Sequence, residues 1–256
     1  MPHPPVFGPI GSPFTELQSV DSTNNYALAR AHAGMASHGE AFFAQEQLLG
    51  KGQMGKKWTS KKKENIILSI GINPAPLQLS QQFWLSAATS VGVHDFFKKY
   101  AADDTRIKWP NDLYWQDRKA GGILIESIIG SQDGSKAWKW AVIGMAININ
   151  QVSFPQELLN PVSLKQITGK TFDAMDLAKE LCACIDTRFD QLMKEGLEPI
   201  LTTYNSNLYK RDETVKLKKD NRTFEAVIKS VSNSGRLIVY HSIEEEFAFG
   251  EIEWMK

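Results

Sequence analysis

The chain has 256 residues, of which 42% are hydrophobic and 23% are charged, so it can bury a full core and has the composition of a globular protein. Lysine plus arginine equals aspartate plus glutamate at 29 each, so no overall basic field predicts nucleic-acid binding. No apolar run approaches the ~20 residues that span a bilayer, and the N-terminus lacks the features of a signal peptide. These absences favour a cytoplasmic enzyme without membrane contact.

The first polar motif in chain order is Ser22-Thr23-Asn24, which precedes a helix-like stretch from Tyr26 to Ala33. Each of the three side chains can cap a helix by accepting a hydrogen bond from a free backbone amide. The same oxygen atoms can face a ligand, and the two roles are compatible. A strand is predicted next, from Ala41 to Gln47.

A glycine-rich basic loop follows this strand and extends from Leu48 to Ser60. Its three glycines and three lysines provide exposed backbone amides and positive charge, which suit a phosphate or an acyl phosphate. Flexible surface loops share this composition, so the position directly after a strand is what favours binding. A strand from Lys63 to Ile72 and a core helix from Ser80 to Tyr100 are predicted after the loop.

The densest group of functional residue types lies between Lys108 and Glu126. The pattern predicts a strand that ends at Lys108 and a bend at Trp109-Pro110-Asn111-Asp112. A hairpin follows, which consists of a strand from Leu113 to Trp115, a tip from Gln116 to Arg118 and a return strand from Gly121 to Glu126. We refer to residues 108–126 as the hairpin.

The return strand of this hairpin has the features of an anion site. Gly121 and Gly122 leave backbone amides bare, so a ligand can approach closely. Beside them, Lys119 can neutralise charge on a carboxylate or phosphate, and Asp112 is its natural carboxylate partner. Taken one at a time, these residues are more typical of a solvated turn, and it is the whole string that favours a site.

An apolar strand from Ala141 to Asn150 ends in two amides, Asn148 and Asn150, which are hard to explain as core residues. Helices are predicted from Asp173 to Glu195 and from Pro199 to Asn207.

The two cysteines, Cys182 and Cys184, lie in the first of these helices and point in different directions. Zinc sites and disulfides need other spacings, so both are interpreted as packing residues.

From Lys210 onward the pattern changes to short alternating strands. The sequence predicts a small β-barrel of four strands, at Thr214–Leu217, Arg222–Val231, Arg236–Tyr240 and Glu246–Glu253. We therefore expect two domains, residues 1–209 and residues 210–256. Without further information the second could equally be a β-appendage for oligomerisation.

These motifs, in this order, resemble biotin protein ligases over nearly the whole chain. The central string is Lys-Trp-Pro-Asn-Asp at residues 108–112, followed by Lys-Ala-Gly-Gly-Ile-Leu-Ile-Glu at residues 119–126. The resemblance implies an α+β fold: a mixed β-sheet flanked by helices, of the class II synthetase type, with a small C-terminal SH3-like β-barrel. Because the first motif begins at Ser22, we expect no N-terminal DNA-binding domain and no repressor function.

The resemblance also implies the reaction. Biotin would be activated with ATP and Mg²⁺ to biotinyl-5′-AMP, and then transferred to a lysine of a biotin carboxyl carrier protein or domain. Lys119 would stabilise charge on the reacting oxygens, and Asp112 would orient the acceptor amine or take its proton. No resident metal site is predicted.

The implied binding residues fall into two sets. The biotin set is Ser22, Thr23, Asn24, Gln47, Gly50, Lys51, Gly52, Gln53, Lys119, Gly122 and Gly144. The set for ATP and the adenylate is Lys51, Gln53, Met54, Trp58, Asn111, Lys119 and Asn148.

The chain departs from the family pattern in two places. In the glycine-rich loop, the family pattern Gly-Arg-Gly-Arg-Arg-Gly-Arg has arginines at the positions of Lys51, Gln53, Met54 and Lys56. In the later apolar strand, Ala146 replaces a glycine of the family pattern. Lysine lacks the guanidinium fork and glutamine lacks the charge, so we expect weaker electrostatic retention of the adenylate.

A lipoate ligase with the same chemistry and a non-catalytic biotin- or nucleotide-binding module are the alternative functions. The sequence leaves open whether the protein is a monomer or a homodimer.

Overall fold

A computed structural model describes residues 8–132, 135–158 and 160–255 of the chain. Within these residues the helices and strands are, in chain order, β1 (Phe14–Leu17), α1 (Thr23–His32), β2 (Ala41–Ala44), β3 (Ile66–Ile72), α2 (Gln82–Ala101), β4 (Thr105–Lys108), β5 (Asp112–Trp115), β6 (Arg118–Gln132), β7 (Ser135–Ile147), α3 (Leu164–Thr168), α4 (Ala174–Glu195), α5 (Leu197–Ser206), β8 (Thr214–Lys219), β9 (Arg222–Val231), β10 (Leu237–Tyr240), β11 (Glu244–Phe247) and β12 (Glu253–Trp254).

The first seven strands form one mixed sheet in the order β1-β2-β3-β7-β6-β5-β4. Strands β1 and β2 are parallel, and the other neighbours are antiparallel. Helices pack on both faces, because successive side chains of a strand point to opposite sides. Phe43 joins the core cluster formed with α2 and α4, while Phe42 packs with Ala27 of α1. The mixed sheet flanked by helices that the sequence predicted is confirmed.

The last five strands form a second, antiparallel sheet in the order β11-β10-β9-β8-β12. One expectation was wrong here, because a single strand from Glu246 to Glu253 is not formed. Strand β11 begins at Glu244 and ends at Phe247, and the chain then turns before β12. Gly250, with φ +88°, lies in this turn, a left-handed conformation that interrupts an otherwise strand-like pattern.

The second sheet shares an apolar core with the rest of the protein. Leu217, Ile228 and Val239 of this sheet are fully buried in one cluster with Tyr204 of α5 and Ile107 of β4. Burial of such side chains is the main stabilising term in folding. The start of the hairpin predicted from the sequence is therefore packed against the C-terminal strands.

None of the helices in the described parts of the chain is long and apolar enough to cross a membrane.

Candidate active site

Lys119 and Asp112 form an ion pair at the end of the mixed sheet. Lys119 Nζ lies 2.6 Å from Asp112 Oδ1, and the two side chains are 32% and 24% exposed. Lys119 is three residues from Gly122, so regular alternation would place it on the opposite face of β6. A bulge between β5 and β6, which leaves Ala120 without a partner on β5, turns Lys119 to the face of Asp112.

A continuous series of hydrogen-bonded polar side chains lies at the start of α1. Thr23 donates from its backbone N (2.9 Å) and Oγ1 (3.2 Å) to Gln47 Oε1. Ser69 Oγ lies 2.7 Å from Thr23 Oγ1 and 2.6 Å from Asn24 Oδ1, and Asn24 Nδ2 donates to Glu126 Oε2 at 2.7 Å. Thr23, Asn24 and Ser69 are almost completely buried. These contacts fix both donors and acceptors at one end of the site.

The sequence predicted part of this polar group. Ser22 is the N-cap of α1, where its side chain accepts from the backbone of Asn25, so the capping role is confirmed. Ser69 and Glu126 were not predicted as site residues. The available signals were a lone hydroxyl in the apolar strand β3 and a carboxylate that follows three apolar residues in β6.

Small residues form the floor between the polar end and the ion pair. Across the sheet, Ser69 faces Gly144, while Ala146 faces Gly122 and Gly122 faces Asp112. A Cβ at Gly144 would lie 2.1 Å from Asn24 Oδ1, and one at Gly122 would lie 3.3 Å from Asp112 Oδ1. The first glycine therefore makes room for Asn24, and the second leaves the floor open beside the ion pair.

The glycine-rich loop connects the two ends of the site. Lys51 Nζ lies 3.6 Å from Glu126 Oε1, and Trp58 N donates to Gly50 O. The Trp58 ring lies 5.8 Å from Lys119 Nζ, while the buried indole Nε1 has no hydrogen-bond partner among the described residues. A buried donor without a partner is costly, and a hydrogen bond to a ligand would satisfy it.

The tip of the loop is shaped as a short 3-10 turn. Met54 adopts the left-handed conformation with φ 52° and ψ 40°, and its side chain is 73% exposed. Gln53 and Met54 lie on the side of the loop that faces the C-terminal sheet, since Gln53 lines a cavity with Phe249. Gly52 N donates to Lys56 O at 2.7 Å, which closes the turn.

The predicted amides already have partners in the protein. Asn111 Nδ2 donates to Ile123 O, which ties the bend to β6. Asn148 Nδ2 donates to Val162 O at 3.1 Å. Asn150 exchanges two hydrogen bonds with the backbone of Phe172, which explains this asparagine without a ligand. Nucleotide contacts of Asn111 and Asn148 stay predictions.

Lys108 lies beside the ion pair on the same face of the sheet, because it is opposite Asp112 in the pairing of β4 with β5. Its Nζ is 4.6 Å from the ring centre of Tyr114, 5.4 Å from that of Tyr209 and 4.9 Å from that of Trp254. Burial lowers the pKa of the Lys108 ammonium, and the charge of Asp112 opposes this shift. The cation thereby links the hairpin to the last strand of the C-terminal sheet.

A large cavity of about 630 Å³ lies elsewhere, between Lys219, Phe224 and His241 of the C-terminal sheet. It contains none of the predicted site residues, so cavity size does not locate the chemistry in this protein. The ion pair, the small-residue floor and the polar end together form an elongated candidate site with a cation at one end.

Comparison with known proteins identifies the family. The model of the biotin/lipoate A/B protein ligase family matches residues 16–147. The bifunctional ligase/repressor BirA of Salmonella typhimurium is 30% identical over 87% of this chain and 68% of its own length. The biotin--[acetyl-CoA-carboxylase] ligase of Paracoccus denitrificans is 26% identical over 87% of this chain and 92% of its own length. The chain belongs to the biotin/lipoate A/B protein ligase family.

Solved structures agree on the fold. The biotin protein ligase from Aquifex aeolicus in complex with biotin and ATP superposes with a TM-score of 0.78, at 24% identity, over 94% of this chain and 98% of that one. At this identity the likeness concerns the fold alone. The chain spans 62% of the length of the Bacillus subtilis BirA protein that it also matches.

Proposed function

We propose that this protein is a biotin protein ligase, which activates biotin with ATP to biotinyl-5′-AMP and transfers biotin to a lysine of a biotin carboxyl carrier protein or domain. The observation that carries the proposal is the order of groups along the site. Fixed donors and acceptors at Thr23, Asn24 and Ser69 lie at one end, and the Lys119 ammonium lies at the other. Biotin has a ureido ring at one end and a carboxylate at the other.

The first step needs positive charge where two anions meet. A biotin carboxylate oxygen attacks the α-phosphorus, and the bond from that phosphorus to the bridging oxygen of the β-phosphate breaks to release pyrophosphate. Lys119 can turn from Asp112 to the reacting oxygens, because both side chains are partly exposed. A cation held in place before the reaction stabilises charge that develops on these oxygens.

Mg²⁺ would screen the triphosphate in this step. The described residues contain no group of three or more His, Cys, Asp or Glu side chains that could hold a metal ion. Magnesium ions are commonly held by substrate phosphates and water with few protein carboxylates. We therefore propose that the ion enters with ATP.

The second step transfers the acyl group. A neutral ε-amine of the carrier lysine attacks the acyl carbon, and the bond to the adenylate oxygen breaks to release AMP. When Lys119 moves to the phosphate, Asp112 loses its 2.6 Å partner and can accept a hydrogen bond from the incoming amine. We assign Asp112 to orienting that amine or taking its proton.

One experiment tests the function and separates it from the two alternatives. The protein is incubated with ATP, labelled biotin or labelled lipoate, and an apo carrier domain. Covalent biotin alone supports the proposal, covalent lipoate supports a lipoate ligase, and no transfer of either supports a binding module.

Two variants test the residue roles. Lys119→Ala should lose most biotin-dependent pyrophosphate release, whereas Lys216→Ala, at an exposed lysine of β8, should keep it. Asp112→Asn should slow single-turnover transfer from preformed adenylate. Normal pyrophosphate release by the first variant, or unchanged transfer by the second, would remove the assigned role.

The proposal also includes the domains. The five antiparallel strands with a bulge between β9 and β10 support an SH3-like barrel at residues 210–256, beside a catalytic domain at residues 1–209.

We further propose that the protein is located in the cytoplasm. Both cysteines are free thiols, which suits this reducing compartment.

A further inference from the structure

The turn between β9 and β10 is fixed against the catalytic part of the protein. Trp109 Nε1 donates to Gly235 O at 3.0 Å. The ring of Phe83 packs so closely that a Cβ at Gly235 would lie 2.6 Å from its Cδ2 atom. Arg236 directly follows this turn, so its backbone has a defined place at the edge of the active site.

Arg236 lines a cavity of about 470 Å³ between the glycine-rich loop and the C-terminal sheet. Gln53 and Asn111, two of the residues predicted to bind the nucleotide, also line it, together with the aromatic rings of Phe83 and Phe249. Among the described residues around this cavity, Arg236 is the one with a charged side chain. The lining of the cavity thus includes one cationic residue, Arg236, and the uncharged Gln53.

The loop tip also lies near the turn between β11 and β12. A Cβ built at Gly250, in that turn, would lie 4.0 Å from Met54 Cε. Gln53 lines the cavity together with Phe249 of the same turn, so both residues of the loop tip lie beside the β11–β12 turn.

We propose that Arg236 binds the phosphates of the nucleotide and supplies, from the C-terminal sheet, the guanidinium that the loop lacks at Gln53. The inference rests on the proposed function, and it concerns the β- and γ-phosphates, which leave as pyrophosphate. Arginine matches phosphate geometry with two parallel N–H donors. The rest of the cavity is lined by uncharged residues, including Asn111, Phe83 and Phe249, which suit the uncharged parts of the nucleotide.

The present partners of Arg236 do not prevent this role. Its Nε lies 3.6 Å from Glu246 Oε2, its Nη2 lies 3.5 Å from Glu251 Oε2, and Nη2 donates to Glu246 O at 3.4 Å. The side chain is 40% exposed. Long, exposed ion pairs of this kind are weak, so a phosphate oxygen with higher charge can replace them.

The test compares Arg236→Gln, Arg236→Lys, Gln53→Arg and the double variant Gln53→Arg/Arg236→Gln. We expect Arg236→Gln to raise KM for ATP and to weaken inhibition by pyrophosphate, each by roughly tenfold, with KM for biotin unchanged. Arg236→Lys should fall between it and the wild type. Gln53→Arg should restore much of the loss, because the charge returns from the opposite wall. Arg211→Ala, at an exposed arginine paired with Asp212, is the matched control.

The outcomes separate this inference from the proposed function. If the wild-type protein releases no biotin-dependent pyrophosphate, the proposed function fails. If it does and Arg236→Gln keeps both constants for ATP and pyrophosphate, only the role of Arg236 fails. Equal increases in both KM values with a lower melting temperature and no rescue by Gln53→Arg would make Arg236 a purely structural residue and would also overturn the inference.

Discussion

At the end of the site that we propose binds the biotin ring, Gly144 is the position where adding one methyl group should be most destabilising. An alanine Cβ would lie 2.1 Å from Asn24 Oδ1 and 2.7 Å from Asn24 Cγ. Backbone strain has no part in this, because Gly144 lies within the regular pairing of β7. The Asn24 side chain must leave its place, and its hydrogen bonds with Ser69 and Glu126 break.

The magnitude follows from these two bonds. A neutral hydrogen bond contributes about 1 kcal/mol to stability and one to a charged group about 1.5–3 kcal/mol. Alanine in place of glycine in a strand regains about 0.5–1 kcal/mol. We therefore expect Gly144→Ala to lower the free energy of unfolding by about 1.5–3.5 kcal/mol and to raise KM for biotin.

A double-mutant cycle with Asn24→Ala isolates the cause. Urea denaturation should show that Gly144→Ala costs almost nothing once the Asn24 side chain is absent, since the two sites are in contact. Gly122→Ala is a useful comparison, because its nearest neighbour would be 3.3 Å away; it should fill the floor and weaken biotin binding with a smaller loss of stability. Equal costs of Gly144→Ala in both backgrounds would refute the reasoning.

Three other predictions concern the hairpin, the C-terminal sheet and a thiol. Burial lowers the pKa of Lys108, so the unfolded chain binds this proton more tightly than the folded protein does. The stability of the wild type relative to Lys108→Met should therefore rise with pH toward 10.5, the ordinary lysine value; a difference independent of pH, in urea denaturation over the alkaline range, would contradict this. Gly235→Ala should lower the melting temperature more than Gly250→Ala, because both have positive φ but only the first would meet the Phe83 ring at 2.6 Å; equal shifts would assign the whole effect to backbone strain. Burial raises the pKa of Cys182 to about 12, so iodoacetamide should leave this thiol unmodified in the native protein, as mass spectrometry can check.

The sequence predicted those parts of the site that depend on neighbours in the chain. Pro110 and the polar residues around it specify a bend, and the strands on either side have clear patterns, so the hairpin is confirmed. The return strand is longer than predicted, because β6 begins at Arg118 and ends at Gln132. The bulge that turns Lys119 toward Asp112 follows from the fit of β6 between its neighbours and has no signal in residue types.

Residues that act through distant partners could not be predicted in this way. Ser69 gains its place because β3 and β7 bring it opposite Gly144. Arg236 lines the cavity beside the glycine-rich loop because Trp109 and Phe83 hold the turn before it. The expected strand from Glu246 to Glu253 was wrong for a related reason, since alternating residues imitate a strand while the left-handed Gly250 forms a turn.

The apolar cluster that joins Ile107 and Trp109 to β8, β9 and β10 also sets an order of events during synthesis. The hairpin with Lys119 leaves the ribosome long before the strands that pack behind it. Chains grow from the N-terminus, and apolar surface that lacks its partner promotes aggregation. The packing around the hairpin therefore stays incomplete until residues as late as Trp254, which contacts Lys108, have been made.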